Sequence, residues 1–175
     1  MLNKTVLKTL SFGIGLVLIL TMTQCTGKIA PALPKDILGI SVGMNKENAE
    51  QRLREIGKFM RDEGSREQVW SLSNNPNFGY LAVGYDENNQ VRYVTAITKP
   101  QDGQPVFFKD VGDLTTAKRD VAGPNHRYIW EVAASENNSG YLIIAQGVNA
   151  EFLSLYTLSR PNNPGQEKDK EKENE

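Results

Sequence analysis

The chain is poor in the side chains that usually carry chemistry. Its 175 residues include one cysteine, Cys25, and one histidine, His126. A single cysteine excludes an intrachain disulfide, and a cysteine-based metal site would need ligands of other types. His126 stands in Gly123-Pro124-Asn125-His126-Arg127, which reads as a loop. A lone histidine supplies a general base only if an acid orients it, and the sequence places none beside it. Gly-Lys-Ser/Thr after a glycine loop and Gly-x-Ser-x-Gly around a serine are both missing, which removes the common phosphate-loop and nucleophile-elbow signatures. Asp110, Asp113 and Asp120 are too widely spaced for a calcium loop. Asp86-Glu87-Asn88-Asn89 sets oxygens in a row, but these residue types are the ordinary choice for a hairpin turn. No pair of carboxylates stands out as acid and base. The expectation is a protein without catalysis, cofactor or metal.

Charge of one sign is also missing. Twenty basic and 21 acidic residues give a net charge of −1. They are interleaved, without the basic stripe that nucleic-acid binders need. Long apolar runs are absent except at the start. Lys4 and Lys8 precede an uncharged stretch from Thr9 to Thr23. At about 15 residues it matches the upper end of a signal-peptide core and falls short of a full membrane span. Lysines ahead of it predict a cytoplasmic N-terminus and translocation of the rest of the chain, though Lys28 and Lys35 behind it soften the asymmetry. Cys25 directly after the apolar stretch is the pattern of a bacterial lipoprotein site and is the lipidation candidate; Gln24 departs from the small residue such sites carry. An uncleaved anchor and a cleaved soluble form are the alternatives. All three place the remainder outside the cytoplasm, on the periplasmic or cell-surface side.

Composition divides the chain into three segments: residues 1–34 as signal or anchor plus a proline-stiffened linker, 35–161 as the folded domain, and 162–175 as a charged, disordered tail with nothing apolar to bury. Within the domain, Asn45 is a plausible N-cap for a helix over Lys46 to Glu55, with Ala49, Leu53 and Ile56 on one face and Gly57 as the stop. Lys58–Glu63 and Arg66–Ser73 around Gly64-Ser65 suggest a hairpin, with the first helix continuing to Asp62 as the competing reading. Leu81, Val83 and Tyr85 alternate, and Val91, Tyr93, Thr95 and Ile97 resume the alternation beyond the turn, so all seven are expected on one core face. Asp113 is expected to cap a second short helix over Leu114 to Asp120. Strands are then expected over Arg127–Ser135, Gly140–Gln146 and Glu151–Ser159.

The halves share a rhythm. Val69-Trp70-Ser71-Leu72 precedes Gly79-Tyr80-Leu81, and Ile129-Trp130-Glu131-Val132 precedes Gly140-Tyr141-Leu142. One helix on a small sheet buries too little to stand alone, whereas two such units share a core. The expected fold class is therefore α+β, as two tandem helix-plus-antiparallel-meander repeats over about 38–98 and 111–160. Ile40-Ser41-Val42-Gly43-Met44-Asn45-Lys46-Glu47-Asn48-Ala49, then the Gly, the Trp strand and the Leu-x-Val-x-Tyr-Asp hairpin, resembles one repeat of the β-lactamase-inhibitor-protein-like fold. The same fold occurs in the small lipoprotein of the outer-membrane β-barrel assembly complex. Ala122-Gly123-Pro124 is similar to the Leu-Gly-x-Pro helix end of those domains. The resemblance covers about Leu38 to Arg160 and implies an envelope-assembly or inhibitory role. The inhibitor members use disulfides that this chain cannot form, and no binding motif matches, so no functional residue carries over.

Aromatic residues remain. Trp70 and Trp130 read as core. Tyr80 and Tyr141 are out of phase with Leu81 and Leu142, so both are expected on the sheet face that helices leave open. With Arg92 or Arg127 nearby, they are the candidates for protein contact. The expected function is a membrane-tethered, extracytoplasmic protein-binding or scaffold module whose partner is another envelope protein. The alternatives are an inhibitor that inserts the hairpin tip, with Asp86 and Glu87 as contacts, or a small-molecule or lipid-binding domain.

Overall fold

A computed structural model describes residues 32–99, 103–122, 125–136 and 139–161. The anchor candidate, Cys25 and the charged tail lie outside the described residues. Among the described residues no helix is long and apolar enough to cross a membrane.

The first helix, α1 (Lys46–Ile56), begins where Asn45 Oδ1 accepts a hydrogen bond from the Asn48 N–H at 2.8 Å, satisfying one of the orphan donors of the first turn. Ala49 and Leu53 are its buried stripe. It ends at Gly57, where the chain turns extended and the Ser71 carbonyl oxygen lies only 2.6 Å from where a Cβ would stand. A side chain there would collide with backbone, so the helix stop and the entry into the sheet need the same glycine.

Strands β1 (Lys58–Glu63), β2 (Glu67–Ser71), β3 (Phe78–Tyr85) and β4 (Val91–Thr98) come next as a meander. One turn of helix, α2 (Phe108–Val111), leads into β5 (Lys118–Ala122), β6 (Asn125–Val132), β7 (Tyr141–Gly147) and β8 (Leu155–Ser159). All eight strands form a single antiparallel sheet in the order β1-β2-β3-β4-β8-β7-β6-β5. The order reads the same from either edge, with the last strand of each half joined at the centre.

The expected α+β class is thereby corrected. The described residues are β-dominated, and among them helix is confined to the 11 residues of α1 and the four of α2. The second helix expected over Leu114 to Asp120 does not form. Asp113 instead heads a turn, where its Oδ1 accepts from the Thr115 N–H at 2.9 Å and the Thr115 hydroxyl at 2.8 Å. These bonds hold its carboxyl below the usual range. A short oxygen side chain followed by two β-branched threonines competes against helix, and Lys118–Ala122 pairs with β6 instead. The halves are also joined by a hydrogen-bonded ladder between β4 and β8 rather than by helix-on-sheet packing alone.

The core lies on one side of this sheet. Two rows of paired residues cross it: Leu81–Ala96–Tyr156–Ala145–Tyr128 and Val83–Val94–Leu158–Ile143–Trp130. Each of these residues is buried. Over them pack Ala49 and Leu53 of α1, Phe108 and Val111 of α2, and Ile37 and Ile40 from the segment ahead of α1.

Candidate binding face

The opposite side of the sheet has no helix among the described residues. Its residues also fall into cross-strand rows. One runs Tyr80–Ile97–Leu155–Gln146–Arg127–Asp120, and the next runs Val69–Ala82–Thr95–Thr157–Ile144–Ile129. Thr95 and Thr157 meet at the centre with their hydroxyls 2.9 Å apart. A third row, Glu67–Gly84–Tyr93–Ser159–Leu142–Glu131, closes the face. Tyr93 lies across Gly84, whose missing Cβ makes the room. Burial pushes the Tyr93 hydroxyl up, aided by its hydrogen bond to Glu67.

This face is more apolar than an ordinary wetted sheet surface. Antiparallel strands with one face in water alternate apolar and polar, whereas strands covered on both faces read as continuous apolar runs. Leu81-Ala82-Val83 and Leu142-Ile143-Ile144 are such runs. They place Ala82, Leu142 and Ile144 outward among Val69, Ile97, Ile129 and Leu155. Tyr80 and Ile97 are 42% and 38% exposed.

The sequence-derived candidates separate. Tyr80 stands on the open face as expected. Tyr141 does not: it is 6% exposed, on the core side, and its hydroxyl donates to the Pro34 carbonyl at 3.0 Å. The cause is register. Trp70 pairs with Leu81, but Trp130 pairs with Ile143 rather than with Leu142. Aligning the two Gly-Tyr-Leu triplets is wrong by one residue, and one residue exchanges the faces. Tyr93, Thr95 and Ile97 are corrected likewise. Tyr85 does pair with Val91 and both are buried, but the register shifts between Gly84 and Tyr85. Beyond that irregularity Val94 and Ala96 face the core, and the expected set turns outward.

The hairpin-tip candidates are occupied within the chain. Asp86 Oδ1 accepts from the Asn88 and Gln90 N–H groups, and its Oδ2 accepts from Arg160 Nη1 at 2.6 Å. Arg160 Nη2 donates to Gln90 Oε1 at 2.6 Å. The tip is further docked against the start of α1 through Lys46 N–H to Asn89 O at 2.8 Å. Glu87 is exposed and lies 3.4 Å from Arg66. Arg92 is exposed on β4, and its carbonyl accepts from the Arg160 N–H.

At one end of the open face lies a cleft of about 360 Å³ lined by Asp120, Asn125, His126, Arg127, Gln146 and Leu155, among others. His126 is part of β6 rather than a loop, with its Nδ1 3.4 Å from Arg119 Nη2. Among the described residues no group of three or more histidine, cysteine or carboxylate side chains is gathered for a metal. The residues that sequence reasoning missed are Ile129, Ile144 and Leu155. Their signal was present as apolar residues at consecutive strand positions, which a single buried face does not require.

No protein-family model, curated protein or solved structure matches this chain.

Proposed function

We propose that this protein is a membrane-tethered, extracytoplasmic binding module that holds another envelope protein against the open face of its sheet. The observation that carries the proposal is the partly exposed apolar set on that face, Ile97, Leu155, Leu142, Ile144 and Ile129, spread over four strands around the Thr95–Thr157 pair, whereas Val69 and Ala82 on the same face are already buried. Removing such area from water is worth roughly 25 cal/mol per Å², so covering it favours association. Catalysis has no part in this role. The tether rests on the charged, then apolar, start of the chain and on Cys25. An inhibitor inserting the Asp86–Asn89 tip is disfavoured, because Asp86 is already bonded to Arg160.

The test is site-specific photocrosslinking in native membranes. A photoreactive residue replacing Tyr80 should give one discrete protein adduct, and a second change, Ile97→Asp, should abolish it. The same residue replacing Glu47, exposed on α1, should give none. Equal labelling from both positions, or none from Tyr80, would exclude the open face as the contact.

A further inference from the structure

The polar end of the open face differs from the rest. Arg127 projects from β6 into the cleft beside Gln146 and Leu155. Its Nε is buried without a hydrogen-bond partner. Asp120 is its cross-strand neighbour on β5, yet no ion pair among the described residues takes in the Arg127 guanidinium. Arg160 also has a buried Nε without a partner, but its two Nη groups donate to Asp86 and Gln90. A guanidinium partly withdrawn from water and left without an anion is under-satisfied, and the natural complement of its planar fork is a carboxylate.

Position makes this more than a surface arginine. Gln146 and Arg127 follow Tyr80–Ile97–Leu155 in their row, and Asp120 ends it on the edge strand. The row is thus apolar for three strands and then turns polar, as an amide, a cation and a carboxylate that forms no ion pair with that cation. Adjacent strands are ~4.8 Å apart, so Leu155 and Arg127 stand ~10 Å from each other across β7. An extended polypeptide laid across the strands covers that distance in about three residues.

We infer that the partner of the open face is a polypeptide segment with aliphatic side chains over Ile97 and Leu155 and an aspartate or glutamate in the cleft. Its carboxylate pairs with Arg127, and Gln146 is placed to donate its amide to the same group. Rim charge contributes mainly orientation and rate, whereas a partly desolvated pair contributes to the lifetime of the complex. This inference rests on the open face being the contact surface, and it names the chemistry of the group that lies there.

The experiment uses the full chain in detergent micelles with its arginine side chains isotopically labelled for NMR. Two blocked peptides are titrated, Leu-Ile-Ser-Ser-Glu, in which the acid stands three residues after the isoleucine as the span requires, and its neutral counterpart Leu-Ile-Ser-Ser-Gln, with sodium acetate as a third probe. The expected result is movement of the Arg127 Nε–H signal by the acidic peptide at roughly tenfold lower concentration than by the neutral one, the size of a single charge-assisted bond. Arg127→Gln should erase that difference, and Arg127→Lys, which keeps the charge and loses the fork, should retain part of it. An acidic preference that survives Arg127→Gln, a response to acetate equal to that of the peptide, or no response in the millimolar range overturns the inference. If both peptides bind equally and Ile97→Asp abolishes both, the open face stands as a contact surface and only the carboxylate is lost.

Discussion

Two tyrosines in the same local sequence, Gly-Tyr-Leu, have opposite fates. Tyr80 faces outward from β3, while Tyr141 is buried at the start of β7 with its hydroxyl on Pro34. Strand pairing decides the difference. The two tryptophans set the phase from β2 and β6, and the residue paired with each must face the core beside it. That residue is Leu81 in the first half and Ile143 in the second. A repeated motif therefore transmits a strand, but not which face of the strand is used.

The strongest way to break the comparison is to truncate both tyrosines. Tyr141→Ala removes a buried ring and an anchoring hydrogen bond and should cost about 3–5 kcal/mol. Tyr80→Ala should cost under about 1 kcal/mol, in the range of surface substitutions. Urea unfolding of the two variants measures this directly. Comparable losses would mean that the register assigned to β6–β7 is wrong, because only that register places the two rings on different faces.

The first half of the molecule was more legible than the second, for identifiable reasons. Asn45, the Ala49–Leu53 spacing and Gly57 announce α1 with local signals, and the Gly64 turn with its φ of +67° announces the β1–β2 hairpin. In the second half, Asp113 also offers a capping side chain, but Thr115 and Thr116 take its hydrogen bonds into a turn. Lys118–Ala122 is then taken as the edge strand against β6, its neighbour in sequence, which pairs with it from Asn125 to Ile129. The bulge at Gly84–Tyr85 was not legible, because it depends on Tyr93 fitting over Gly84. The open face was half legible: Tyr80 was found by phase, while Ile129, Ile144 and Leu155 needed the pairing before they could be seen as neighbours.

A second contrast is set by pH. Burial raises the hydroxyls of Tyr85, Tyr93 and Tyr156 above the ordinary tyrosine range. Tyr141 shifts the same way, through burial and then the charge of Asp36. The folded chain therefore holds protons that the unfolded chain releases, so unfolded tyrosine binds fewer protons above about pH 10. Stability from these groups is complete below that value and falls as the pH climbs from it toward their folded values. Unfolding free energy should be flat with respect to these tyrosines from neutrality to about pH 9 and decline beyond about pH 10. In Tyr156→Phe the decline should be shallower. An unchanged slope in that variant would mean that Tyr156 is not protected from ionisation by the fold.

The smallest expected effect sharpens the comparison most, because it isolates two hydroxyls within one core. Tyr141 donates to the Pro34 carbonyl, which ties the segment ahead of α1 to the second half of the sheet. The Tyr156 hydroxyl is buried in the same region, close enough to Tyr141 for the charge of Tyr141 to raise its ionisation, yet it has no hydrogen-bond partner. Deleting the first oxygen leaves the Pro34 carbonyl without its donor and should destabilise by about 1 kcal/mol. Deleting the second removes a buried polar atom that gains nothing from burial, so Tyr156→Phe should be neutral or stabilising by up to about 1 kcal/mol. Both variants conserve the ring, so packing is held constant and the sign of the change reports only the hydrogen bond. Paired thermal and urea unfolding of the two variants settles the order. If Tyr156→Phe is the more damaging change, its hydroxyl has a bonded partner in solution, and the second half of the core is held together by a polar contact as well as by its apolar rows.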